Sequence, residues 1–519
     1  MFDWKIQGGK IIDGTGREPF AADVGGSGDR ITAIDSLKNA EARNIIDASG
    51  CYVCPGFIDA HSHSDTFLLV QPSADSKIFQ GVTTEIVGNC GASAAPIKDV
   101  SQLPFDWQLL AYPGKWQSMA EYFTLLQKCK PAVNVIALTG HNRLRIAVMG
   151  YENRCATADE LRSMKRLLEQ SLAEGAWGMS TGLIYRPGKY AAISEISDMA
   201  SIVAQRNGIY TTHMRNEAAM VREAVAETIA LARKTGVKIQ ISHLKTAGAA
   251  NWRLVDEVLS MLAAARAGGL KIAADRYPYT YSCTDLDILL PDWLAASDRM
   301  TILAKLHDPD TCEKLRDELA ADHDPEYWNG IIVATSTEEK WRGRSLLTIA
   351  NTLGLEPVEA AIMILVKDEL LTQAFYAGMS EENLRKIYSR PFVMIGSDAS
   401  LRVPGGLFHN DHPHPRAYGT FTRFLRAALD GKTVPLAEAI RKMTSLPAEH
   451  FAIKQRGCLA AGNMADILVF DPAEVSDLSS YENPHQLSKG IKMVMVNGEV
   501  ALDHGGLTGK RSGRVLAPQ

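Results

Sequence analysis

The chain has 519 residues, 46% of them hydrophobic and 22% charged, with 55 Lys plus Arg against 60 Asp plus Glu for a net charge of −5. That composition supports a large globular core and excludes wholesale disorder and the basic footprint of a nucleic-acid binder. No apolar run approaches the ~18 residues of a membrane span, and the start, MFDWKIQGG, lacks a basic segment followed by an apolar one, so neither a membrane association nor a secretory signal is expected. Eight scattered cysteines form no disulfide framework, which predicts a reduced, cytoplasmic protein.

In chain order, residues 1–55 read as short strands and turns (KIQGGKIIDGTG, ADVGGSGDRITAID, RNIIDASG), with Gly and Asp at hairpin-like intervals. The middle alternates short apolar runs with longer amphipathic ones. The apolar runs lie at 52–60, 82–88, 133–138, 177–181, 209–212, 238–242, 271–274 and 392–396. Helical segments such as 158–174 and 218–235 lie between them; in the second, Val221, Val225, Ile229 and Ala232 recur at helical spacing. Alternating β and α predicts a parallel sheet. Eight strands without a Gly-x-Gly-x-x-Gly fingerprint favour a (β/α)8 TIM-type barrel over an open doubly wound sheet. The seventh and eighth runs are too far apart for one connection. Charged helical stretches (304–319) and a further apolar run at 331–334 predict a subdomain inserted before the last barrel strand, at about 286–345. The tail, at 457–471 and 491–502, has the texture of the start, strands with Gly-Asn and Asn-Gly turns. Both termini are therefore expected to build one small β domain, dividing the chain into 1–55 and 451–519 for that domain and 56–450 for the barrel.

In such a barrel the active site forms at the C-terminal ends of the strands. The first run ends in Asp59-Ala60-His61-Ser62-His63, the second in Asn89-Cys90, the fifth in His213, the sixth in His243 and the eighth in Asp398. His61 and His63, two apart on a strand, project to one side. Imidazoles with a carboxylate suit a divalent first-row metal, and a thiolate shifts the choice to zinc. A cysteine thiolate can also bridge two metals. Asp398 is placed to accept a proton from an attacking water acidified by the metal. Two other features read as structural: Cys51-x-x-Cys54 alternates into a strand as core packing, and His409, His412 and His414 belong to a Pro-rich rim loop; His141 after the third run stays open, either a group supporting a ligand from behind or a core histidine.

Gly56-Phe-Ile-Asp-Ala-His-Ser-His-Ser-Asp, Gly88-Asn-Cys-Gly, Ser180-Thr-Gly-Leu-Ile-Tyr, Thr212-His-Met-Arg-Asn-Glu, Ser242-His-Leu-Lys, Tyr277-Pro-Tyr, Gly396-Ser-Asp-Ala and His414-Pro-Arg resemble the N-acyl-D-amino-acid deacylases (D-aminoacylases) of the amidohydrolase superfamily. The resemblance runs nearly end to end, through Ala465-Asp466-Ile467 and Gly513-Arg514-Val515-Leu516. It implies a (β/α)8 barrel with a small β-sandwich and an insertion before the last strand. It further implies that Cys90, His213 and His243 hold one tight zinc, and that His61, His63 and Asp398 line a second, weaker site with Asp398 as acid/base. By the same resemblance Lys245, Tyr277 and Arg416 clamp the substrate's α-carboxylate and Tyr185 is a pocket tyrosine. The reaction implied is hydrolysis of N-acyl-D-amino acids to a carboxylate and a free D-amino acid. The D preference comes from the resemblance alone. The stretch Tyr281-Ser-Cys-Thr-Asp departs from the small-residue run of that family, and no arginine falls within 281–291, which tilts the expectation to neutral or apolar side chains.

The rival reading is a cyclic-amide hydrolase of the hydantoinase or dihydroorotase kind. Such enzymes bridge two metals with a carboxylated lysine at the fourth strand end, where this chain has Met179-Ser-Thr-Gly. A deaminase explains neither Cys90 nor Arg416, and a non-catalytic scaffold would have no reason to keep all six ligands.

Overall fold

The structure is a computed structural model that describes residues 1–518 apart from 296, 298, 323–324 and 408–410. Its centre is a series of parallel strands: β1 (Phe57–Asp59), β2 (Val82–Val87), β3 (Asn134–Ala137, resuming at Thr139–Gly140), β4 (Gly178–Gly182), β5 (Ile209–His213), β6 (Lys238–Ile241), β7 (Ile272–Arg276) and β8 (Val393–Ile395). Each pairs in parallel with the next in sequence, the arrangement of a TIM-type barrel. At the seam between β8 and β1, Ala60 N donates to Ile395 O (3.3 Å) and Ser62 bridges Ala399.

Alternation along the strands explains the layering. Ile58, Ile86, Ile136, Ile209, Ala273 and Met394 pack together as one cluster, while Ile272 and Ala274 face the helices in another. The helix Val221–Thr235 buries Val221, Val225, Ile229 and Ala232 as its period requires, and stops at the left-handed Gly236.

A further sheet joins the two ends of the chain. Strand Tyr52–Pro55 lies between Lys10–Ile11 on one side and Ile467–Phe470 on the other. Trp4, Ile11 and Val24 from the start share a core with Ile467, Val469 and Met495 from the end. The predicted run at 52–60 is thus two strands in two sheets, broken at Gly56, where a Cβ would lie 2.3 Å from Thr83. The predicted helix at 304–319 is likewise two, Arg299–Leu306 and Pro309–Asp322, because Pro309 cannot continue the first.

Between β7 and β8 a separate three-stranded antiparallel sheet pairs Tyr281–Asp285 and Ile331–Val333 with Gln373–Ala377. Its core runs from Leu286 to Ala374. This unit is wider than the expected 286–345, because the partner of its first strand arrives only at 373. Among the described residues no single helix is long and apolar enough to cross a membrane.

Candidate metal centre

Backbone geometry first brings the site together. Cys90, His243 and Asp398 all adopt left-handed φ values, 51°, 36° and 51°. Non-glycine residues carry such conformations at a cost that surrounding structure must offset. For Cys90 the room comes from its neighbours: a Cβ on Gly88 would meet Leu138 O at 2.2 Å and one on Gly91 would meet Asn142 Oδ1 at 2.3 Å.

The result is two groups of ligand-type atoms that share one sulfur: His61, His63, Cys90 and Asp398, and Cys90, His213 and His243. Cys90 Sγ lies 3.3 Å from His61 Nε2 and 3.5 Å from His243 Nε2. Asp398 Oδ1 lies 3.3 Å from His61 Nε2 and 3.1 Å from His63 Nε2. Burial opposes the Cys90 thiolate, but His61 and then His213 and His243 hold its pKa well below the ordinary thiol value. Asp398 is likewise held well below the carboxylate range, against burial, chiefly by Arg416.

Carboxylates behind the histidines were not singled out by sequence reasoning. Asp275, at the end of β7, faces His61 Nδ1 at 3.1 Å and accepts from His243 N at 2.9 Å. Glu217 Oε1 lies 2.9 Å from His243 Nδ1. Each carboxylate faces a ring Nδ1 and leaves the Nε2 turned toward Cys90, the carboxylate–histidine arrangement of metal sites. His213 is buried, with its Nε2 3.4 Å from Glu217 Oε2. Three buried imidazoles and a thiolate form a donor set that fits a divalent metal, and its chemistry favours zinc.

Around this centre, Arg416 Nη1 pairs with Asp398 Oδ2 at 2.8 Å while its Nε is unpartnered. Tyr277 is buried between two guanidiniums, Arg276 at 4.0 Å and Arg416 at 4.6 Å from its ring centre, with its hydroxyl unpartnered. Lys245 Nζ donates to both oxygens of Glu217 (2.7 and 2.6 Å) and lies 2.7 Å from His243 Nδ1. The ring of Tyr185 meets His213 edge-on, centroids 4.9 Å apart, and its hydroxyl accepts from Thr284 Oγ1 at 3.4 Å. All four residues expected around the substrate therefore border the ligand groups or a residue that touches them.

The remaining candidates lie elsewhere. His141 pairs with Glu195 (2.8 Å), which also holds Arg145 (2.7 Å), so it joins helices rather than ligands. Cys54 is a buried core thiol. His412 faces Tyr481 O, and His414 donates through Nε2 to Tyr281 O (3.0 Å) and accepts from Arg416 N through Nδ1 (3.0 Å). His409 falls outside the described residues.

A family model described as the amidohydrolase family matches residues 44–502. The N-acyl-D-glutamate deacylase of Alcaligenes xylosoxydans xylosoxydans is 37% identical over 497 residues, covering 96% of this chain and 93% of its own. The chain belongs to the amidohydrolase family. Within it, the chain groups with the N-acyl-D-amino-acid deacylases: the D-aminoacylase of the same organism is 36% identical over 519 residues, covering 99% of this chain and 98% of its own. Among solved structures, the N-acyl-D-glutamate deacylase from Bordetella bronchiseptica, complexed with zinc and a phosphonate mimic of the tetrahedral intermediate, matches with a TM-score of 0.84 at 35% identity over 100% of both chains. The ligand groups of this amidohydrolase form a site for a divalent metal.

Proposed function

We propose that this amidohydrolase catalyses zinc-dependent hydrolysis of N-acyl-D-amino acids to a carboxylate and a free D-amino acid. The observation that carries the reading is the pair of ligand groups joined at Cys90, on a chain similar over its length to deacylases of that type. We assign Cys90, His213 and His243 to one tight zinc, and His61, His63 and Asp398 to a second, weaker site. The strand pairing supports a closed (β/α)8 barrel over 56–450, a β-sandwich from 1–55 and 451–519, and an insertion spanning about 281–377.

When bound, the metal supplies a Lewis acid that polarises the amide carbonyl and acidifies the attacking water. Asp398 takes the proton from that water and returns it to the leaving amine. Its Oδ1 faces the two histidines and its Oδ2 faces Arg416, so one carboxylate spans the hydrolytic centre and the substrate clamp. Arg416, with Tyr277 and Lys245, receives the α-carboxylate: a guanidinium fork suits that group, and its Nε is unpartnered. Glu217 holds Lys245 next to His243. Tyr185 closes the wall beside His213.

The side-chain preference we assign is neutral or apolar. Arg186, beside Tyr185, donates to Ala295 O and Ser297 O (2.6 and 2.7 Å) and faces Asp287. It is thereby committed to the inserted unit instead of to a substrate carboxylate. The absence of lysine at the end of β4 disfavours the hydantoinase-type alternative. Eight free cysteines support a reducing, cytoplasmic location.

The test is turnover by the zinc-loaded protein of N-acetyl-D-amino acids with apolar, neutral and acidic side chains, their L-enantiomers, and hydantoins. Release of D-amino acids alone is expected, fastest with apolar side chains. Hydantoin cleavage without deacylation would sink the reading; D-glutamate or D-aspartate preference would sink only the side-chain assignment.

A further inference from the structure

Lys77 belongs to the short helix Asp75–Ile78 that follows β1, and it is fully buried. Its ammonium lies 2.8 Å from Asp59 Oδ2, 2.9 Å from Ser397 Oγ, 3.0 Å from Ala399 O and 3.1 Å from Glu85 Oε1. An ammonium has three protons, so these four oxygens saturate it. They come from three places: Asp59 ends β1, Glu85 lies in β2, and Ser397 and Ala399 follow β8.

What this network grips is specific. Asp59 Oδ1 accepts from Ser397 N (2.8 Å) and His61 N (3.2 Å), and its Oδ2 accepts from Ser397 Oγ (2.6 Å). Glu85 Oε1 accepts from Ser62 Oγ (2.6 Å) and Ser64 Oγ (2.7 Å). The two neighbours of His63 are thus tied to Glu85. The two neighbours of Asp398 are tied directly to Lys77, and Asp398 N itself donates to His61 O (2.8 Å). Asp398 holds a left-handed φ of 51°, a conformation that persists only where its flanks are over-determined. Ser397 and Ala399 are those flanks. One cation against two carboxylates also leaves a net negative charge directly behind residues suited to a cation.

His213 and His243 are held differently. Glu217 and Asp275, not the Lys77 network, bond His243, and His213 sits at the end of β5. We infer that Lys77 is a positioning residue for His61, His63 and Asp398: it sets the second, weaker half of the metal centre and the acid/base, and leaves the Cys90–His213–His243 half unaffected. The inference rests on the assignment of those halves proposed above.

The test compares the full-length wild type with Lys77→Met and with Lys77→Met/Glu85→Gln. The double variant keeps the same net buried charge, so it stays foldable if the single variant does not. Each is titrated with cobalt(II) while the Cys90 thiolate charge-transfer band is followed, and kcat and KM are measured separately. The first equivalent should bind as in wild type with its band intact. The second should weaken about 10–100-fold, the usual effect of removing an outer-shell partner, and kcat should fall with KM unchanged. Wild-type affinity for the second equivalent with wild-type kcat overturns the inference. Loss of both equivalents, the band and thermal stability together also overturns it, because Lys77 would then be a general structural residue. A wild-type protein that shows no thiolate band with cobalt sinks the underlying metal assignment, and this inference with it.

Discussion

At the scale of single residues, Cys90 joins the two ligand groups, so its loss should be felt by both. Removing the sulfur in Cys90→Ala takes a ligand atom from both groups. Zinc binding deprotonates a coordinating thiol outright, and His61, His213 and His243 already favour the thiolate. The expected outcome is loss of tightly bound zinc, measured by metal analysis after chelation, together with loss of turnover; full zinc retention would remove Cys90 from the ligand set. Arg416 is a subtler case, because it faces Asp398 as well as the expected position of the substrate carboxylate. Losing a charged hydrogen-bonding partner is worth roughly 1.5–3 kcal/mol, or about 10–150-fold in kcat/KM. Arg416→Ala should therefore lower kcat/KM by that much for N-acyl-D-amino acids and clearly less for the corresponding neutral α-amides. An equal fall for both would mean that Arg416 serves Asp398 alone.

At the scale of elements, most ligand positions were legible because the chemistry-bearing residues sit just past apolar runs, and a strand end is visible as the place where apolar alternation stops. Asp275 directly follows the apolar run at 271–274, so it carries the same strand-end signal and was passed over. Glu217 lies in the polar loop after β5, with no local pattern that sets it apart from a surface carboxylate. Lys77 was hidden for the same reason: a lysine in a four-residue helix reads as solvated. The pairing of Tyr281–Asp285 with Gln373–Ala377 spans too much chain for any local signal. His141, which the sequence leaves open, shows that a histidine after a strand end can serve packing. Its partner Glu195 receives both His141 and the fully buried Arg145. Breaking a buried pair by removing one partner costs about 3–5 kcal/mol, so Glu195→Gln should lower the melting temperature while zinc content and kcat of the folded protein stay at wild-type values. A change in zinc content would return His141 to the metal centre.

At the scale of the whole molecule, the two chain ends do more than close a β domain beside the barrel. Residues 513–516 run along β3: Gly513 N donates to Pro131 O, Val135 N to Arg514 O and Leu516 N to Val135 O, each at 2.9 Å. Trp177, just before β4, adds Nε1–H to Leu516 O at 2.8 Å. The tail thus lies along the lower half of β3, and the register of β3 and β4 resumes only from Thr139. It also ties the last residues of the chain to strands whose far ends lead to the metal-centre rim. Gly513 has no room for a side chain: a Cβ would lie 2.0 Å from Val133 O, and backbone cannot move aside there as the tip of a side chain could. Gly513→Ala should displace the tail and forfeit up to four hydrogen bonds, each worth about 0.5–1.5 kcal/mol net. Calorimetry should show a lowered melting temperature, with proteolysis of the tail accelerated and the stoichiometry of tight zinc unchanged. A variant that melts with wild type would show that the tail is an appendage and that β3 and β4 hold together without it.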